Sequence, residues 1–244
     1  MANTSYKNPR LIEALCEIHF EPGPAWDATL FGLFYERIRA AFPEKRELRN
    51  VEVSFQAGDR ELSQYVREAG VRMQFVRSDN TAMVQVAPNL LAVNQLPPYP
   101  NWAAFSQLIR SRFEDYVTVA QPKSIMRLGL RYINRFDFAP AEFDFAALFA
   151  RSGLIPSAVF EEFKPFRFRL EIAQDEQAQL LFTLGTPTVE AEQISVVLDL
   201  DHVSQFSLQP EASALMEHLN RAHDRIEAVF ESCLTDNLRQ RLNQ

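Results

Sequence analysis

Glycine is scarce in this chain, with 7 residues in 244. Phosphate-cradling loops depend on glycine, and neither G-x-G-x-x-G nor G-x-x-x-x-G-K-[ST] occurs. Cysteine is nearly absent. Cys16 and Cys233 stand far apart with no neighbouring ligand pattern, which excludes a cysteine zinc site or a disulfide scaffold and fits a reducing compartment. No run approaches the roughly 18 apolar residues of a membrane helix. The opening residues 1–10 are polar and carry no secretion signal, so a cytoplasmic location is expected. Positive charge is in deficit as well. With 25 Lys+Arg against 32 Asp+Glu the net charge is -7, which disfavours nonspecific nucleic-acid binding by the whole surface. The strings H-E-x-x-H and G-x-S-x-G are missing too, so neither a zincin nor a serine-elbow hydrolase is indicated.

What is present is hydrophobic and aromatic: 47% of residues are apolar and 20 are phenylalanine, enough for a sizeable core of interlocked helix and sheet faces. Period-two patterning predicts strands over residues 11–20, 51–55, 71–77, 82–87, 90–95, 166–174, 179–184 and 193–200. Helical spacing marks residues 27–42, 102–119 and 210–233, with shorter helices near 143–150 and 235–242. Asp27, Asn101 and Thr235 are the expected caps. Residues 56–70 read as a polar loop with a short helical piece. Pro97-Pro98-Tyr99-Pro100 reads as a stiff connector or an aromatic surface offered to a partner. Meandering strands bracketed by amphipathic helices give the fold class: α+β, a mixed, mainly antiparallel sheet with long helices on one side. The chain divides into two similar halves, 1–137 and 138–244, within one compact unit.

The central strand, residues 125–136, carries the most distinctive pattern. Arg127, Gly129, Arg131 and Arg135 fall on one face, and Leu128, Leu130, Tyr132, Asn134 and Phe136 on the other. Three guanidiniums on one face could bind phosphate, carboxylate or an acidic partner. They could equally pair across the sheet with Glu13, Glu17, Glu171, Asp199 or Asp201. On the opposite face, Tyr132 and Asn134 could anchor a ligand by two hydrogen bonds, or satisfy neighbouring backbone groups. Asp199, Asp201 and His202 form a weak hard-metal pattern, and no metal or cofactor is assigned from it. His218 and His223 lie about 140° apart on their helix and read as a surface pair. His19 beside Glu17 is a lone histidine, Cys16 faces the apolar side, and Glu190 and Glu192 sit in an expected turn.

The entry string Asn8-Pro9-Arg10-Leu11-Ile12-Glu13-Ala14 and the central Arg127-Leu128-Gly129-Leu130-Arg131-Tyr132-Ile133-Asn134-Arg135 carry a resemblance. So does the late helix holding His218 and Phe230. Together they resemble a sporadically distributed bacterial family of about this length with no assigned function. The resemblance supplies no catalytic residues. Its distribution implies an accessory or antagonist role beside defence or toxin modules. The expected function is therefore a binding or accessory protein that recognises a protein partner or a small anionic ligand through Arg127, Arg131 and Arg135, with Tyr132 and Asn134 as further contacts. A homodimer is compatible with this. The alternative is a metal-dependent enzyme acting on a phosphate ester or triphosphate in a strand-lined pocket, with Arg167 and Arg169 adding charge. That layout is similar to triphosphate-tunnel enzymes, although their Glu-x-Glu-x-Lys strand is missing.

Overall fold

In a computed structural model, residues 6–23, 26–57, 62–150, 165–187 and 193–244 are described. The side chains of residues 49–70 and 146 are left out of the description. The elements in chain order are β1 (Leu11–Glu21), α1 (Thr29–Ile38), β2 (Glu44–Ala57), β3 (Leu62–Val76), β4 (Ala82–Ala87), β5 (Leu90–Gln95) and α2 (Trp102–Ala120). After them come β6 (Ser124–Phe138), a 3₁₀ turn at Pro140–Glu142, α3 (Phe145–Leu148), β7 (Arg167–Ala173), β8 (Ala178–Gly185), β9 (Ile194–Leu208), α4 (Ala212–Cys233) and α5 (Asp236–Leu242).

One nine-stranded sheet runs β2-β3-β4-β5-β1-β6-β9-β8-β7. Every described pairing is antiparallel. This is the α+β architecture that the strand and helix pattern implies. The two arms of the sheet have parallel layouts. In each, an inner strand is followed by a meander that returns beside it, and then by a long helix: β1, β2–β5 and α2 in one, β6, β7–β9 and α4 in the other. The arms meet where β1 pairs with β6, Cys16 opposite Leu130. The arginine strand thus lies at the centre of the sheet, flanked by β1 and β9.

The helices cover one face. Ala14, Cys16, Ile18 and Phe20 of β1 point into it with Leu130 and Phe136 of β6 and Val196, Leu198 and Leu200 of β9, each at most 3% exposed. Against them α2 lays Phe105, Ile109, Phe113 and Tyr116, and α4 lays Leu215, Leu219, Ala222 and Ile226. Burying such a Leu, Ile or Phe side chain is worth about 1.5–3 kcal/mol. Aromatic pairs tie the layers together: Phe20 stacks on Tyr116 at 4.6 Å, and the Tyr116 hydroxyl reaches the Ala87 carbonyl at 3.2 Å. Cys16 is fully buried, and burial pushes its thiol well above the ordinary range, so it is inert.

Several boundaries differ from expectation for physical reasons. Residues 56–57 and 62–70 belong to β2 and β3, not to a loop. The two strands form a long ribbon at the sheet edge, paired from Glu44 opposite Val76 out to Ala57 opposite Leu62, and Gln56 and the irregular sequence of residues 62–70 lack the strict alternation that would have marked them as strand. β9 runs on to Leu208 because it pairs with β6 along its whole length, to Ile125 opposite Leu208. Helix α1 starts at Thr29, since Asp27 spends its carboxylate on the Thr29 N–H and hydroxyl. Asn101 does cap α2, its side-chain oxygen accepting the Ala104 N–H at 2.8 Å. Asn101→Ala should lower stability by about 1 kcal/mol in urea unfolding, while Asn101→Asp should retain most of it. Thr235 caps α5 in the same way, through the Leu238 N–H. Glu190 and Glu192 lie outside the described residues. No described helix is long and apolar enough to cross a membrane.

Candidate functional site

The outer face of the sheet, away from the helices, carries the arginine stripe. Each arginine is already engaged. Arg127 sits opposite His19 in register but bonds diagonally to Glu17 at 2.8 Å, and Glu17 also holds the His19 ring at 2.6 Å. The His19 hydrogen bond, aided by Arg127, holds the Glu17 carboxyl down at about 2 against the opposing effect of burial. Arg131 sits opposite Asp201 yet forks onto Asp199, Nε at 2.8 Å and Nη2 at 2.6 Å. Arg135 reaches Asp137 at 2.9 Å and the Ser195 hydroxyl at 3.0 Å, and that hydroxyl donates to Asp137 at 2.6 Å. Burial raises the Asp201 carboxyl above its usual value, with Arg131 and Arg127 opposing.

On the β1 side the polar lattice continues through Arg72, Gln85, Asn94 and Glu13, joined by hydrogen bonds of 3.3, 3.2 and 2.5 Å. Of the expected acidic partners, Glu17 and Asp199 bridge to arginines of β6, whereas Glu171 pairs with Arg169 on its own strand. Gly129 is not pressed by any backbone. A Cβ there would meet Asp201 Oδ1 and Glu17 Cβ at 3.8 Å, an ordinary contact, so alanine fits.

The inner face offers a different geometry. Tyr132 and Asn134, on the helix side of β6, end in a cavity of about 420 Å³ between the start of β1, the start of α2 and the middle of α4. Tyr132 does not spend its hydroxyl on backbone. It meets Tyr99 Oη at 3.3 Å and His223 Nδ1 at 3.2 Å, giving a side-chain chain Tyr99–Tyr132–His223. The His223 ring stacks flat on Trp102, centroids 4.3 Å apart and planes 11° from parallel, while the Trp102 indole N–H donates to Asn220. The rigid Pro97-Pro98-Tyr99-Pro100 connector therefore turns its aromatics inward. Its Pro97–Pro98 bond is cis.

His223 is the main correction to the sequence reading. It is not part of a surface pair: it lies one turn from Leu219 and two from Phe230, on the border of the buried stripe. Burial lowers its pKa to about 4, so the ring is neutral at neutral pH. His218 does stay near the surface, against Arg221 and Phe206. The His223 Nε2 atom is buried and has no hydrogen-bond partner among the described residues. Asn134 is 6% exposed, and among the described residues its amide makes no side-chain hydrogen bond. Burial pushes the Tyr99 hydroxyl up to about 12 and raises that of Tyr132 well above its ordinary value, so both remain protonated donors.

The fourth wall is the segment before β1. Tyr6 donates to the Glu231 carboxylate at 2.7 Å, Asn8 N–H to the Leu242 carbonyl at 2.9 Å, and the Arg10 carbonyl accepts from Arg135 N–H at 2.8 Å. Arg239 completes the anchor through Glu231 at 3.1 Å. This strap brings Lys7 and Arg10 to the cavity rim. Among the described residues neither has a carboxylate within ion-pair distance. Glu227 is the carboxylate among the lining residues.

The structure thus brings Tyr132 and Asn134 together with Tyr99, Trp102 and His223 and puts Arg127, Arg131 and Arg135 on the opposite face of the sheet. Among the described residues no three His, Cys, Asp or Glu side chains are arranged to hold a metal ion, and Asp199, Asp201 and His202 do not converge: His202 faces the helices. No family model, curated protein or solved structure matches the chain.

Proposed function

We propose that this protein is a binding protein that takes a small organic molecule with a flat apolar body into the cavity beneath Tyr132. The observation that carries this reading is a cavity of about 420 Å³ on which Tyr132 and Asn134 of β6 and His223 of α4 converge. The surroundings support the same reading. Trp102, Phe230, Ile226 and Leu11 supply apolar wall, while Tyr132, Asn134 and His223 converge as a few fixed polar groups, the usual composition of small-molecule sites. The earlier reading, recognition of an anion or acidic partner over the basic sheet face, keeps little free charge to work with, because Arg127, Arg131 and Arg135 are all held by acidic neighbours.

The test uses N-phenyl-1-naphthylamine, a neutral aromatic probe whose emission rises in apolar surroundings. Glu227 is one helical turn from His223, so Glu227→Trp places an indole in the chamber. Saturable one-site binding that Glu227→Trp weakens by about tenfold or more supports the reading. Binding that does not saturate, or that Glu227→Trp leaves unchanged, refutes it.

A further inference from the structure

Resting on that reading of the cavity, we infer that its ligand is an acid: a flat apolar body joined to a carboxylate, sulfonate or phosphate group that is received by Arg10, with Lys7 beside it. Of the three charged residues lining the cavity two are cations, and both stand on the strap. They differ from the three arginines of the outer stripe. Arg127, Arg131 and Arg135 have acidic partners at 2.6–2.9 Å, whereas Lys7 and Arg10 have none among the described residues. A guanidinium at the mouth of an apolar chamber is suited to a planar anionic group, which it can grip through two parallel N–H bonds.

The strap fixes the backbone from which that side chain extends. The Arg10 backbone is pinned by Arg135 N–H on one side, and two residues earlier Asn8 is pinned to Leu242. Only the Arg10 side chain is therefore left to move. Arg10 and Leu242 also line a second cavity of about 650 Å³, where Arg241, Asn237 and Gln240 add polar groups and Asp137 and Glu142, paired with Arg135 and Arg241, add carboxylates. The guanidinium thus stands where an apolar chamber and a polar one adjoin, the boundary at which a molecule with an apolar body and a charged end would place its charge.

The opposite charge fixes the orientation. Glu227 stands on α4 one helical turn from His223, which places a carboxylate on the α4 wall of the chamber rather than on the strap. An anion there would be repelled. The acid group must point to the strap and the apolar body toward Trp102 and His223. The Tyr99–Tyr132–His223 chain then fixes the polarity of the inner contact. If Tyr132 donates to His223 Nδ1, the neutral ring carries its proton on the buried Nε2, and the ring offers the cavity its face and edge rather than a donor.

Two probes that differ only in charge separate this inference from the reading beneath it. 8-Anilinonaphthalene-1-sulfonate is N-phenyl-1-naphthylamine with a sulfonate added. The sulfonate probe is expected to bind about tenfold tighter than the neutral one at low salt. Arg10→Gln should remove most of that preference, read as the ratio of the two affinities, and Lys7→Gln should remove a smaller part. Arg110→Gln, at an exposed arginine lining neither cavity, should change nothing. Equal binding of the two probes, or a sulfonate preference that survives Arg10→Gln, overturns the acid inference while leaving the cavity as the site. Failure of both probes to bind, or binding insensitive to Glu227→Trp, overturns both.

Discussion

Arg131→Ala is expected to destabilise the protein by about 2 kcal/mol at pH 7 without changing its affinity for an aromatic probe. Arg131 forks onto Asp199, whose side chain is 17% exposed, and Asp201 lies directly opposite in register. Removing the guanidinium leaves two carboxylates side by side, one of them already shifted upward by burial. Breaking a fully buried pair costs about 3–5 kcal/mol, and the 39% exposure of the Arg131 side chain scales that down. Asp199→Ala should cost less, because an arginine at this depth can turn to Asp201 or to water. The double variant should fall short of the sum of the singles by about 1 kcal/mol, the mark of a direct interaction. Urea unfolding of the four proteins measures all of this. An Arg131→Ala protein of unchanged stability that no longer binds the probe would return the stripe to the role of a ligand site.

Acidification is expected to weaken the fold through His223. In the unfolded chain its imidazole titrates near the ordinary 6.5; in the folded protein burial holds it at about 4. As pH falls below about 6.5, the unfolded chain takes up a proton that the folded chain refuses, so stability drops until about pH 4. Above 6.5 neither form binds that proton, and the contribution is constant. The loss across the window is on the order of 3 kcal/mol. Asp224 on the same helix pulls the pKa the other way but does not outweigh burial, while Tyr132 and Tyr99 stay neutral throughout. His202, also lowered by burial, adds to the acid sensitivity in the same direction, so the His223 part must be read as a difference. His223→Phe, which keeps a ring to stack on Trp102, should flatten the slope of stability against pH between about 4 and 6.5. With Trp26→Phe leaving Trp102 as the single indole, quenching of its emission by the protonated ring should show a midpoint near 4. A midpoint near 6.5 would mean that the ring is solvated rather than packed.

Much of the fold is legible along the chain because its inner strands have one apolar face. Ala82–Ala87 and Leu90–Gln95 are where period-two reading puts them, and Leu215, Leu219, Ala222 and Ile226 form the buried stripe of α4 that their spacing implies. Residues 51–55 and 71–77 mark only the cores of β2 and β3; the extensions to Glu44–Ala57 and Leu62–Val76 were not legible, since pairing between the two strands, not a polarity pattern, makes them sheet. The arginine stripe was visible, and so were its acidic neighbours. Which carboxylate each arginine takes depends on diagonal reach across a twisted sheet, which spacing along one strand does not give.

The cavity was half visible. Tyr132 and Asn134 stood out as polar residues in an apolar layer. Their companions did not, because Tyr99, Trp102 and His223 come from elements 30 to 90 residues distant and meet only after the sheet closes. One signal could have found His223: its distance of four from Leu219 and seven from Phe230 places it on the packed side of α4. Nothing in the sequence marks the segment before β1 as a wall, since it is held there by Tyr6, Asn8 and the Arg10 carbonyl through contacts with the far end of the chain.

The central claim is the location of the site, and the most direct measurement is a crystal structure of the protein bound to 8-anilinonaphthalene-1-sulfonate. The rings are expected in the chamber beneath Tyr132, Asn134 and His223, with the sulfonate at Arg10. A probe lying instead across Arg127, Arg131 and Arg135 on the outer face of the sheet would contradict it.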